Sequence, residues 1–524
     1  MPAKSWWQYG ILYEVYPRSF QDANGDGIGD LQGILERLDY LADLGVKGIW
    51  IAPFYPSPMA DFGYDIADYC NVDPIFGNLA DFDRLLRAIH ERNLKLILDF
   101  VPNHTSDQHP WFLESRSSLT NPKRDWYLWR DPAFDGGPPN NWLSNFGGPA
   151  WTKDGSQYYY HSFLRQQPDV NWRNPELREA MFNVLRFWLE RGVDGFRVDV
   201  MWMMIKDDQF RDNPVNPASA PNSPDSIRLL PVYNTNRPEV HTIVAEMRSV
   251  LDAYGDRLLI GEIYLPFDQL ATYYGQDLNG AQLPFNFHLM QCPWHADAIA
   301  KVVTEYEAAL PPGAWPNWVL GNHDQPRISS RIGHNQARAA AMLLLTLRGT
   351  PTMYYGEEIG MTDVAIPATE VQDPAENNEP GKGTGRDPER TPMQWDSSQF
   401  AGFTKGKPWL RLAADYTAVN VATLSTQNGS MLSLYRALIR LRNANTALNS
   451  GSVEQVASDG RILRYQRVDQ EARFAVLLNL RQGREVTAVE PGQIVISTQM
   501  DRGGEAVASN ISLRPFEGVV IRLA

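Results

Sequence analysis

Gly195-Phe196-Arg197-Val198-Asp199-Val200 is an apolar run that carries two opposite charges, and its reading decides the fold. Arg197 and Asp199 are two positions apart, so on a β-strand they share one face. Burying such charges is costly unless they pair or serve chemistry. Seven further short apolar runs lie outward of this one, at 11–16, 46–52, 94–101, 258–264, 283–288, 318–323 and 350–355. Amphipathic stretches separate them. Ile34, Leu38, Leu41 and Leu44 keep helical spacing before Gly45, and Phe82, Leu85, Leu86 and Ile89 do so before Asn93, which stands where a C-cap belongs. Eight strands alternating with helices predict an α/β fold, a (β/α)₈ TIM barrel with its helices outside.

Two stretches break the rhythm. Residues 104–170 are rich in Trp, Pro, Asn and Gly and read as a subdomain inserted after the third strand. From Ser450 onward, alternating segments such as 461–466, 473–479 and 518–523 predict a C-terminal antiparallel β-sandwich. The expected layout is therefore barrel over 1–103 and 171–449, insertion over 104–170 and sandwich over 450–524. A chain of 524 residues is long enough for such a division.

The net charge of −14 argues against nucleic acid or an anionic membrane surface as partner and suits a neutral one. No run of about 18 apolar residues is present, and Met1 to Gln8 lacks the basic and apolar regions of a signal peptide, so a cytoplasmic protein is expected. Cys70 and Cys292, far apart and without metal-type spacing, predict neither a disulfide framework nor a zinc site.

In a barrel, function gathers at the carboxyl ends of the strands. Four runs close on polar residues there: Leu98-Asp-Phe-Val-Pro-Asn-His104, Gly195 to Val200, Leu259-Ile-Gly-Glu-Ile-Tyr264 and Leu320-Gly-Asn-His-Asp324. One such acid could be a structural ion pair; four on one rim point to chemistry. Separately, Asp22-Ala-Asn24-Gly-Asp26-Gly-Ile28-Gly-Asp30 alternates oxygen donors with glycines, as a hard-cation loop requires. Gly33 stands at the twelfth position, where an EF-hand has its bidentate Glu. A compact loop of Asp22, Asn24, Asp26, the Ile28 carbonyl and Asp30 is the better reading, with a metal-free Asx-rich turn as the alternative.

These strand ends, with Asp61-Phe-Gly-Tyr64-Asp-Ile, Gln167-Pro-Asp-Val-Asn171 and Arg390-Thr-Pro-Met-Gln-Trp395 in family order, make the chain resemble the α-amylase family, glycoside hydrolase family 13, in its oligo-1,6-glucosidase and α-glucosidase branch. The resemblance implies a retaining, exo-acting α-glucosidase for short α-gluco-oligosaccharides, with transglucosylation. Asp199 would be the nucleophile, Glu262 the general acid and base, and Asp324 the grip on the 2- and 3-hydroxyls. Repulsion among the carboxyls should keep Glu262 protonated, while Arg197 holds Asp199 ionised. His104 and His323 would donate to sugar hydroxyls, Tyr64 would stack on the terminal glucose, and Asp61 with Arg390 would bind its 4- and 6-hydroxyl end. Phe146 and Phe163 are expected either as pocket walls or as the core of the insertion. Val200, after the nucleophile, resembles the residue of 1,6-specific members; Met201-Trp202-Met203-Met204 departs from their pattern. Related glucosidases imply structural Ca²⁺ or Mg²⁺ in the 22–30 loop, and a monomer or homodimer. The alternatives are a sucrose or maltose isomerase on the same scaffold and a non-catalytic partner of a transporter; the latter would need a membrane segment and tolerate lost carboxylates.

Overall fold

The computed structural model describes residues 5–524, so the first four residues of the Met1–Gln8 opening lie outside it. Eight parallel strands form one sheet: β1 (Leu12–Val15), β2 (Gly48–Ile51), β3 (Lys95–Phe100), β4 (Gly195–Val198), β5 (Leu258–Gly261), β6 (Leu283–Pro284), β7 (Asn317–Val319) and β8 (Thr350–Tyr354). The order is β7-β8-β1-β2-β3-β4-β5-β6, a nearly closed barrel. Each strand falls within one of the eight apolar runs or, for β7, begins one residue ahead of it. In-register pairs such as Leu12↔Gly48, Asp99↔Arg197 and Arg197↔Ile260 bring the polar strand ends to one rim.

Local chemistry sets the helix limits. Asn78 caps 79–91 by accepting from the amides of Ala80 and Asp81, and Asn93 (φ 56°) takes the left-handed turn after Arg92. Asn174 and Pro175 start the 175–191 helix, and Gly192 (φ 105°) ends it. The amphipathic stretch before Gly45 is two helices, Leu31–Glu36 and Leu38–Leu44, meeting at the non-helical Arg37. The buried stripe of Ile34, Leu38, Leu41 and Leu44 continues across the break.

The 104–170 excursion leaves and returns at one place. His104 bridges Asp169, and Val170 donates to the Asn103 carbonyl. Within it Trp129–Arg130, Gln157–Tyr160 and Trp151–Asp154 form a small antiparallel sheet in that order. Beyond 450 the chain forms a six-stranded antiparallel sheet, opened by Ser452–Ser458 and carrying Gly518–Leu523 near its centre, with a two-stranded partner. Two fully buried arginines lie where sandwich meets barrel, and Arg467 bridges the two. Arg442 donates to the carbonyls of Leu345, Leu347 and Gly349, and Arg467 to those of Thr346, Leu448, Gly451 and Ser452. Among these carbonyls, those of Leu345, Thr346 and Leu448 lie in last helical turns, which leave them open. Both cysteines are free thiols. No helix among the described residues is long and apolar enough to cross a membrane.

Candidate active site

A cavity of about 460 Å³ opens at the carboxyl rim. Asp199 follows β4, Glu262 follows β5 and Asp324 lies beyond β7, and all three line this cavity. Asp61, Tyr64, His104, Phe146, Phe163, Val200 and His323 line it too. Phe146 and Phe163 are therefore pocket walls, packed on each other with ring centroids 5.3 Å apart. The sandwich strands lie far along the chain from these loops and contribute no lining residue.

Arg197 organises the floor. Its Nη1 donates to Asp199 (2.7 Å) and to Asp99 (2.8 Å). Nη2 lies 2.6 Å from Glu262 Oε2, an ion contact not aligned as a hydrogen bond. Glu262 Oε2 also accepts from the Val200 amide at 2.9 Å. Three buried carboxyls thus share one guanidinium. Burial lifts both Asp199 and Glu262 above the ordinary carboxylate range, with Arg197 opposing it in each. With three carboxyls around one guanidinium, Asp199 and Glu262 titrate as a coupled pair, and both are shifted in the same direction.

Asp324 behaves oppositely. Burial pushes its carboxyl up, but the His323 ring beside it and the guanidinium charges of Arg390, Arg386 and Arg197 outweigh that; with His323 neutral, the charge comes from the arginines, and the carboxyl is held well below the usual range. Arg390 Nη2 donates to Asp324 at 2.7 Å.

Arg390 requires a correction. Its side chain is fully buried, bonded to Asp324 and to the His323 carbonyl, and it does not line the cavity. The partner of Asp61 is Arg386, which donates to it at 2.7 Å, approaches Asp324 at 3.4 Å and is braced by Asp373. Asp61 also accepts from Gln167. No strand or helix period singles out Arg386, which lies in a loop four residues ahead of the Arg390-Thr-Pro motif.

Tyr64 stacks on His323 (5.3 Å, 14°) and places its hydroxyl between Asp99 Oδ2 (3.1 Å) and His323 Nε2 (2.7 Å). His104 packs on Phe163 and contacts the Tyr64 carbonyl and Gln167 through Nε2. Burial depresses both histidines, so both imidazoles are neutral. Val200 sits at φ 37°, ψ 46°, a left-handed conformation strained for a β-branched residue. Trp202, Met203, Ile227 and Tyr264 line the cavity beyond it.

In the 22–30 loop, Asp22 accepts from the amides of Gly25 and Gly27, Asn24 from Asp26, Asp26 from Ile28, and Asp30 from Gly33, Ala23 and Asn24. These Asx turns hold the side chains in a tight, all-oxygen loop. Among the described residues no three His, Cys, Asp or Glu side chains are grouped to hold a metal ion. The loop's donor set includes an amide and a carbonyl oxygen, which suits a hard cation in kind.

The α-amylase catalytic-domain family model matches residues 14–451. An oligo-1,6-glucosidase of Parageobacillus thermoglucosidasius is 37% identical over 99% of this chain and 99% of its own. The solved structure of the α-glucosyl transfer enzyme XgtA is 39% identical, with a TM-score of 0.93 and full coverage of both chains. The trehalulose synthase MutB from Pseudomonas mesoacidophila MX-45 is 35% identical, with a TM-score of 0.92 over 99% of this chain and 100% of that one. With the barrel, its rim of acids and this near-complete match, the chain belongs to the α-amylase family and is a glycoside hydrolase.

Proposed function

We propose that the chain is a retaining, exo-acting α-glucosidase that releases the terminal non-reducing glucose of short α-gluco-oligosaccharides and transfers it to sugar hydroxyls as well as to water. The observation that carries this is the Asp61–Arg386 pair at 2.7 Å, which lines the cavity beside Tyr64 and His104 and in this reading closes that end of it. A pocket closed there takes one terminal sugar ring. Arg386 then has the role that the resemblance gave to Arg390, and Arg390 supports Asp324 from behind.

In this reading Asp199 attacks the anomeric carbon while Glu262 protonates the departing oxygen; Glu262 then deprotonates the water or sugar hydroxyl that opens the covalent intermediate. One guanidinium reaching both acids favours the close spacing of a retaining pair, about 5–5.5 Å, over the wider spacing of an inverting one. Sugar binding displaces water from the floor, and the Arg197 hydrogen bond supports the ionised form of Asp199. Asp324, held ionised, grips the ring hydroxyls. Val200 borders the leaving-group side and tilts preference toward α-1,6 linkages; one side chain shifts such a preference by about 1–3 kcal/mol. The 22–30 loop would hold a structural Ca²⁺ or Mg²⁺ through Asp22, Asn24, Asp26, the Ile28 carbonyl and Asp30.

The likeness to MutB favours one rival, a sucrose isomerase. Following products by NMR on isomaltose, maltose and sucrose decides between them. Free α-glucose appearing first supports the proposal, β-glucose appearing first refutes retention, and rearranged disaccharide as the main product from sucrose establishes the isomerase.

A further inference from the structure

Glu14 lies in β1, on the floor of the barrel rim, and is completely buried. Its Oε1 lies 2.5 Å from His323 Nδ1, and its Oε2 has no hydrogen-bond partner. The imidazole is clamped between Tyr16 (5.7 Å, 17°) and Tyr64 (5.3 Å, 14°), so the ring cannot turn. Its other nitrogen, Nε2, faces the Tyr64 hydroxyl at 2.7 Å and Asp324 Oδ2 at 3.3 Å, on the side that lines the cavity.

Proton counting fixes the tautomer. The Tyr64 hydroxyl has one proton and gives it to Asp99 Oδ2, so its oxygen accepts from His323. Nε2 therefore carries a hydrogen. A neutral imidazole has only one, which leaves Nδ1 as a bare acceptor. The short contact between Nδ1 and Glu14 then takes its proton from Glu14. We infer that Glu14 is a positioning residue that acts as a neutral carboxylic acid: by donating to Nδ1 it obliges His323 to present Nε2–H to the sugar and to Asp324. This rests on the α-glucosidase reading, in which His323 donates to a bound hydroxyl.

The surroundings agree. Burial raises Glu14 well above the usual carboxylate range; Arg197 and the His323 backbone amide oppose this, while Asp324 and Asp99 add to it. Tyr354 and Tyr355 also lie in its field. Burial likewise keeps His323 unprotonated. An ionised Glu14 would instead take the proton of Nδ1–H and turn the lone pair of Nε2 toward the carboxylate of Asp324, an acceptor facing an acceptor.

The test uses Glu14→Gln and Glu14→Met in the full chain with p-nitrophenyl α-glucoside. Gln can still donate to Nδ1, whereas Met fills the space without a proton to give. Glu14→Met is expected to lower kcat/KM by about 10–100-fold, chiefly in kcat, as loss of an orienting partner does, with Glu14→Gln restoring most of it. The pH profile of kcat/KM in Glu14→Gln should coincide with that of the wild type, because no charge has been removed. A displaced limb means that wild-type Glu14 is ionised and overturns the inference, as does a folded Glu14→Met with wild-type kcat. If Glu14→Met does not fold, the Glu14→Gln profile alone decides. A wild type inactive on the aryl glucoside would sink the α-glucosidase reading instead, whatever the variants do.

Discussion

The chain buries arginines in two ways. Arg197, at the barrel rim, faces Asp99, Asp199 and Glu262; Arg442 and Arg467, where barrel meets sandwich, face only backbone carbonyls. All three are fully buried. Burial pushes Arg442 down to about 10 and Arg467 to about 9, whereas the acids around Arg197 more than offset the same penalty. A planar fork with several donors can thus close helix ends or hold carboxyls in a reactive array. At the interface the terminal nitrogens of both guanidiniums donate to backbone carbonyls; at the rim one cation is shared among three acids, and the surplus is what a substrate can use.

If that contrast holds, rim changes should remove activity and leave stability, and interface changes should do the reverse. The largest expected effect is for Asp199→Asn: loss of about 10⁴-fold or more in kcat/KM on p-nitrophenyl α-glucoside, with the Tm near that of the wild type. Near-normal hydrolysis would break the assignment. Next is Arg467→Met, which leaves the carbonyls of Thr346, Leu448 and Gly451 without their donor. Urea unfolding should show a loss of about 3 kcal/mol or more, while kcat per folded molecule stays unchanged. A fall in kcat without a loss of stability would mean that the two regions are not separate.

A buried acid extends the comparison, because it can escape the penalty by keeping its proton. Glu357 has Tyr435 as its hydrogen-bond donor at 2.7 Å and an unpartnered Oε2, and burial pushes it up to about 7. Its folded value lies above its unfolded one, so the folded state binds the extra proton. That stability is fully present below about pH 4.5 and is lost as pH rises through 7. Glu357→Gln should remove this loss, flattening the fall in unfolding free energy between pH 5 and 8 by about 3 kcal/mol. An equal slope in both proteins would show that the carboxyl is not the source. The smallest effect concerns the 22–30 loop. Ca²⁺ at a hundred times its dissociation constant should stabilise by about 2.7 kcal/mol, read as a rise in Tm that Asp26→Ala abolishes. No change on adding Ca²⁺ or Mg²⁺ would leave the loop as an Asx turn.

How far the sequence carries depends on range. Strands and helix ends were legible because their signals are local: apolar runs of the right length, and Gly45 and Asn93 at the helix limits. The three rim acids were legible for the same reason, each near the end of its own run. Arg386 was not, since what defines it is a contact to Asp61, 325 positions away, on a loop without periodicity. Glu14 could have been found. It is an acid inside the first apolar run, and the rule that flagged Asp199 applied to it equally. The protonation of Asp199 and Glu262 had no sequence signature, because it depends on how many carboxyls converge on Arg197.

Val200 has a further consequence for anyone who varies it. Its left-handed backbone aims the amide that bonds Glu262. Saturation mutagenesis at this position would therefore explore two variables at once, the width of the leaving-group side and the poise of the acid. Gly or Asn would relax the turn and β-branched residues would retain the strain, so variants should be grouped by backbone tolerance before any change in linkage preference is credited to side-chain size.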